Sequence, residues 1–207
     1  MQVTEKIAAF RARMKDENFA AVIVPTADSH ASEYIADHFK TRQWLSGFTG
    51  SAGTLVVGEK EAALFVDGRY FIQAEQQIAG SGITLMRMGT AGTPTLEEYL
   101  AGLLRENDAL GVDFAVVSEK FAEDMRAAVA GSGALLRDTG DWFNDLWTDR
   151  PPMPKEKAFI LDEQYAGESV QNKVAAIRKV MDQHDAQLHV LNVLDDIAWV
   201  LNVRGGD

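Results

Sequence analysis

GFTGSAGTLVVGEKEAALFV, residues 47–66, decides how this chain of 207 residues folds. It opens with three glycines in seven residues, Gly47, Gly50 and Gly53, so the backbone there must turn tightly. Two short apolar runs rich in β-branched residues follow, Thr54–Gly58 and Ala62–Val66, joined at Glu59-Lys60 as a β-hairpin. The glycine turn therefore delivers the chain into a strand. Glycine-rich phosphate cradles lead into a helix N-terminus instead, so a structural turn is favoured over an anion loop.

On the N-terminal side, Ala20–Pro25 (AAVIVP) reads as a buried strand. Before it, Thr4 caps a helix to about Asn18, with Ile7, Phe10 and Met14 on one face at spacings of three and four. A polar stretch, Thr26–Thr41, carries a short helix at Ala31–Ala36. On the C-terminal side, Asp67-Gly68 ends the hairpin. Arg69–Ile78 then reads as a helix with Asp67 as its cap and Tyr70, Phe71, Ala74 and Ile78 facing inward. Strands follow at Ile83–Met88, Leu110–Asp113 and Ala134–Arg137. Between them lie helices opened by a Thr95/Glu98 capping box and by Ser118, the latter reaching about Val129, and a short helix spans Trp142–Trp147. Alternating strands and helices make residues 1–150 an α/β domain.

Thr148–Pro154 (TDRPPMP) holds three of the five prolines and marks a boundary, since proline blocks both helix and ladder pairing. In residues 151–207, Ser169 caps an amphipathic helix to about His184, a strand is expected at Gln187–Val193, and a short helix at Asp195–Leu201. This order repeats the start of the chain. KIAAFRARM (Lys6–Met14) matches KVAAIRKVM (Lys173–Met181), Ala21 and Ile23 fall opposite Leu188 and Val190, and WLSGFTG (Trp44–Gly50) falls opposite WVLNVRG (Trp199–Gly205). About fifty residues with one clear strand cannot cover both faces of a sheet, so residues 151–207 read as a linker and the truncated start of a second, similar domain. An open strand edge there invites pairing with another chain, which leaves a homodimer open.

Composition excludes several function classes. With 20 Lys and Arg against 31 Asp and Glu, the net charge is −11, and no basic cluster offers a face for phosphates; nucleic acid and anionic membrane are poor partners. There is no cysteine, so disulfides and thiolate metal sites are excluded. The N-terminal residues lack the basic start and apolar core of a signal peptide, and no apolar run reaches membrane-spanning length. The expected location is the cytoplasm.

The candidate chemistry is sparse. His30, Glu33 and His38 lie close in sequence but lack the i,i+4 histidine pairing of a zinc helix, so a polar loop is the plainer interpretation. Asp195-Asp196 and Glu97-Glu98 suit helix N-termini, where negative charge is stabilising. Ser51 lacks the G-x-S-x-G setting of a hydrolase nucleophile. Asp67-Gly68-Arg69-Tyr70-Phe71 is more informative. Placed in a first helical turn, Arg69 would sit against the macrodipole, so it is either a solvated arginine or one with a task outside its helix.

Together SEYIA (Ser32–Ala36), WLSGFTGSAGT (Trp44–Thr54), DGRYF-x-QA (Asp67–Ala74), TPT-x-E (Thr93–Glu97), GVD (Gly111–Asp113), WTDRP (Trp147–Pro151) and DDIAWVLNVRG (Asp195–Gly205) resemble, in this order, the N-terminal part of three-domain Xaa-Pro aminopeptidases of the creatinase-like, pita-bread metallopeptidases. The resemblance implies a mixed β-sheet flanked by helices, ribonuclease-H-like, used twice. It also implies a third, catalytic domain with two divalent ions, usually manganese, that cleaves peptides with proline second. None of that domain's ligands maps onto this chain, so no catalytic or metal residue is expected here and the chain alone should be inactive. By the match to DGRYF, Arg69 is a substrate-binding residue, with Asp28, His30, Tyr34 and Trp44 along the cleft edge. The implied partners are such peptides and the protein's own catalytic domain. Two alternatives stand beside this: a free-standing peptide- or protein-binding module of the same fold, and a creatinase- or prolidase-type hydrolase, against which the repeat argues.

Overall fold

A computed structural model describes residues 1–205. The chain divides into two compact units: Met1–Ser29 with Glu33–Pro152, and Met153 onward with His30–Ser32.

In the first unit the hairpin lies inside a six-stranded sheet, one strand in from an edge. Its strands are β1 (Ala21–Pro25), β2 (Thr54–Gly58), β3 (Ala62–Val66), β4 (Thr84–Arg87), β5 (Ala109–Val112) and β6 (Leu135–Asp138), in the spatial order β4-β3-β2-β1-β5-β6. β1–β2 and β2–β3 are antiparallel, and the remaining three pairings are parallel. The sheet is mixed and flanked by helices, as the resemblance implies. β1 to β3 are nearly continuous apolar runs because both of their faces are covered.

Alternation splits their side chains cleanly. Val22, Val24, Leu55, Val57, Leu64 and Val66 face one layer; Ala21, Ile23, Val56, Ala63 and Phe65 face the other. The first layer is α1 (Val3–Asp16), which buries Ile7, Phe10 and Met14, joined by α2 (Thr41–Ser46), α3 (Phe71–Gln77) and α6 (Phe143–Leu146). Phe10 meets Trp142 edge-on at 5.3 Å, and Phe19 meets Trp142 at 5.4 Å, which seats α1 on the sheet. The second layer is α4 (Leu96–Leu103) and α5 (Glu119–Ala130), through Leu100, Met125 and Val129. The Thr95/Glu98 box forms as expected: the Glu98 amide donates to Thr95 Oγ1 and the Thr95 amide to Glu98 Oε2.

The second unit holds β7 (Phe159–Ile160), α7 (Glu163–Ala166), α8 (Val170–Gln183), α9 (Leu194–Leu201) and β8 (Val203–Arg204), with β7 and β8 antiparallel. Gly206 and Asp207, the last residues of the expected second domain, lie outside the described residues.

The repeat is present as geometry. α1 and α8 are each 14 residues long, and Lys6 and Lys173 occupy the same place on them. Lys6 Nζ donates to Trp44 O at 2.8 Å and lies 4.6 Å from that ring's centroid; Lys173 Nζ donates to Trp199 O at 2.9 Å and lies 4.6 Å from its ring. Each tryptophan's helix ends in a left-handed residue, Gly47 (φ 76°) and Asn202 (φ 49°). Asn202 is the residue type besides glycine that tolerates that conformation.

Four expectations need correction. α1 is capped by Gln2 with Glu5, not by Thr4. No helix forms at Ala31–Ala36; the chain instead makes a 3₁₀ turn at Asp37–Phe39 and then α2. α3 begins at Phe71, so Arg69 precedes the helix and the macrodipole argument does not apply to it; Tyr70, not Asp67, is the N-cap. No strand forms at Gln187–Val193, where Leu188 and Val190 are 79% and 72% exposed. A strand exists only in a ladder: β1 is held between β2 and β5, whereas among the described residues 187–193 have no strand beside them.

Candidate functional site

Arg42, on α2, organises the glycine turn from beneath. Its Nε and Nη2 donate to Thr26 Oγ1 at 3.0 and 2.8 Å, and its Nη1 and Nη2 donate to the carbonyls of Phe48 and Gly50. The guanidinium also lies over the Phe48 ring, 4.7 Å from its centroid. Gly50 is required where it stands, because a Cβ there would lie 2.2 Å from Phe48 Cζ and 2.7 Å from Tyr70 Cδ1.

α3 grips the other side of the turn. Gln73 and Gln77 both donate to Thr49 Oγ1, at 2.9 and 2.8 Å, and the Thr49 amide donates to Gln77 Oε1 at 2.9 Å. Ser51 Oγ and Tyr70 OH are 2.6 Å apart. Hydrogen bonds thus join the turn to the DGRYF-x-QA segment that carries Arg69.

Arg69 is exposed and clamped. Its Nε donates to Asp67 Oδ1 at 2.9 Å and its Nη2 to Asp67 Oδ2 at 2.8 Å, while its own amide donates to Asp67 Oδ1 at 3.0 Å. The ring of Tyr70 supports the guanidinium at 5.2 Å. The hydrogen bonds from the Arg69 side chain and amide hold the Asp67 carboxyl down at about 2, and Asp67 in turn raises the Arg69 pKa. Asp67 is therefore ionised throughout the physiological range and fixes the direction of the arginine fork. Glu33 is close enough to add to the field on Arg69.

Glu33 and Ser51 also line a cavity of about 320 Å³, together with Tyr34, Ile35, Phe39 and Arg42. Of the residues expected along a cleft edge, Tyr34 lines this cavity and is 80% exposed. Trp44 is engaged elsewhere: it stacks on Trp147 at 5.5 Å, meets Phe143 at 5.9 Å and receives Lys6 on its face. Asp28 is buried and His30 exposed, the latter grouped with the second unit. His38 is tied down, its Nδ1 2.8 Å from Pro151 O and its own carbonyl accepting from Arg150 Nε at 2.9 Å. Arg150 also donates to Asp141 Oδ2 at 2.6 Å, so the WTDRP segment anchors the polar loop. Among the described residues no group of three or more His, Cys, Asp or Glu side chains could hold a metal ion.

Arg42 is the residue that sequence reasoning missed. A lone arginine in a polar run carries no periodic signal. Gly47 was the available one: a glycine just past a helix end would have revealed α2, and with it the buried positions Arg42, Leu45 and Ser46.

The family model for the creatinase/prolidase N-terminal domain matches residues 6–146, two thirds of the chain, and a second model of the same description matches 149–207. The chain belongs to the creatinase/prolidase N-terminal domain family. Within it, a "Probable Xaa-Pro aminopeptidase P" of Podospora anserina is 40% identical over 100% of this chain and 31% of its own length. "Aminopeptidase P2" of Arabidopsis thaliana is 39% identical over 99% of this chain and 29% of its own length. Among solved structures, an X-prolyl aminopeptidase from Caenorhabditis elegans, described as a cytosolic enzyme with a di-nuclear active site, superposes with a TM-score of 0.91 at 31% identity, over 100% of this chain and 35% of that one. The chain spans about a third of the length of the relatives it matches.

Proposed function

We propose that this chain is the substrate-gating N-terminal region of a metal-dependent Xaa-Pro aminopeptidase, which removes the N-terminal residue from peptides with proline second. The observation that carries this is the Asp67–Arg69 clamp: an exposed guanidinium, oriented by a permanently ionised carboxylate, on a turn braced by Arg42 and α3. A fork so held is suited to a peptide carbonyl or carboxylate. The names of the Podospora and Arabidopsis relatives and the whole-length superposition on the C. elegans enzyme support the parent activity.

On this proposal residues 1–150 are domain I, and residues 151–207 are the linker and start of a similar domain II. The chemistry belongs to a catalytic domain beyond this sequence, with two divalent ions, manganese being expected. The residues described here do not fit such a centre, so no catalytic step is assigned to them. A cytoplasmic location agrees with the description of the C. elegans neighbour and with the absence of any described helix long and apolar enough to cross a membrane.

The test is Arg69→Ala in the longer protein. Loss of a charge-assisted hydrogen bond of about 1.5–3 kcal/mol should lower kcat/KM for an Xaa-Pro peptide by about tenfold to a hundredfold, mostly through KM. An unchanged kcat/KM would remove Arg69 from the substrate site.

A further inference from the structure

The cavity beside the clamp is lined by a buried cation whose hydrogen-bond acceptors are a hydroxyl and two carbonyls. Neighbouring cations are paired: Lys40 with Asp37, Arg69 with Asp67, Arg150 with Asp141. Arg42 is 3% exposed, lines the cavity, and donates to the Thr26 hydroxyl and the Phe48 and Gly50 carbonyls. Those contacts use four of the five N–H groups of a guanidinium and leave one on Nη1. Burial pulls the Arg42 pKa down to about 10, so it remains charged at neutral pH, and its spare N–H suits an anion that would offset its desolvation.

Beside the polar Lys40, Gln43, Thr49 and Ser51, the lining includes the apolar surfaces of Tyr34, Ile35 and Phe39. An occupant must therefore present an anion and an apolar group close together. The side chain of Asp or Glu brings its carboxylate on a thin stem and leaves the apolar wall uncovered. The last residue of a peptide carries its side chain and its carboxylate on the same carbon and satisfies both. Glu33, the acid on the lining, is exposed and lies in the field of Arg69, which offsets its repulsion.

We propose that this cavity binds the C-terminal residue of a short peptide, its carboxylate on Arg42 and its side chain against Tyr34, Ile35 and Phe39. The proposal deepens the peptidase function above and rests on it for the class of ligand. It can be tested without hydrolysis, by titrating the isotopically labelled chain with N-acetylphenylalanine, its carboxamide and acetate. The readout is the Arg42 Nε–H resonance and the amides of Thr49, Gly50 and Ser51. N-acetylphenylalanine should saturate these shifts, with the carboxamide and acetate each at least about tenfold weaker, as loss of one charged contact or of the buried ring implies. Tyr34→Ala, a change at an exposed position, should weaken N-acetylphenylalanine severalfold. Equal binding of acid and carboxamide, equal binding of acetate, or no shift at Arg42 would overturn the site. None of these probes contains an Xaa-Pro bond or needs a metal. Failure here therefore leaves the parent activity standing, and failure of that activity leaves this binding readable.

Discussion

At Gly50 there is no room for a methyl group. The obstructing Phe48 ring is fully buried and capped by Arg42, so it cannot swing aside freely. Gly50→Ala should cost about 1–3 kcal/mol, the range for overpacking, read as a lowered urea midpoint with an unchanged m value. Asp67 belongs to the same scale. Its folded pKa is depressed to about 2 from an ordinary carboxylate value, so its contribution is fully present above that ordinary range and is lost as pH falls through about 2. Carbon-13 titration of the Asp67 carboxyl should find it ionised at pH 4, and Arg69→Ala should return its midpoint towards the ordinary value. A midpoint that ignores Arg69 would mean the clamp does not form in solution. Arg69 itself shows the limit of reading one residue at a time. A helix-dipole argument for Arg69 fails because α3 begins at Phe71, whereas the Asp67 carboxylate, two residues away, is what fixes its side chain.

Among elements, those whose code is local were legible in the sequence. β2 and β3 needed only a glycine turn and a hairpin; α4, α5 and α8 were announced by Thr95, Ser118 and Ser169, each of which accepts a hydrogen bond from the third residue beyond it. Thr95→Ala should cost about 1 kcal/mol by thermal or urea unfolding. What failed was non-local. Leu188–Val190 has strand composition without a ladder, and β7 and β8, two residues each, pair only because α9 turns back through Asn202. α2 escaped because its buried face includes an arginine. Lys173 carries the second unit's geometry much as Lys6 carries the first's, and it is 2% exposed. Lys173→Ala would leave Trp199 O and Asn202 Oδ1 without their donor, at about 1–3 kcal/mol. Amide exchange should quicken across α8 and α9 and stay unchanged in β1 to β3; uniform quickening would contradict two separately stabilised units.

For the molecule as a whole, two related helix-and-turn units occur in a strongly acidic chain whose described residues offer no metal-binding group, and whose relatives are about three times as long. The candidate site was legible in outline through DGRYF. Its depth was not, because the cavity depends on Arg42 and on a polar loop whose shape no periodicity encodes. The central claim is that this chain governs access while the chemistry resides elsewhere. The most direct measurement is release of the first residue from an Xaa-Pro tripeptide in manganese, by the 207-residue chain and by the longer protein that contains it. Release by the longer protein alone is the predicted result; cleavage by the chain itself, or none by either, would contradict the account.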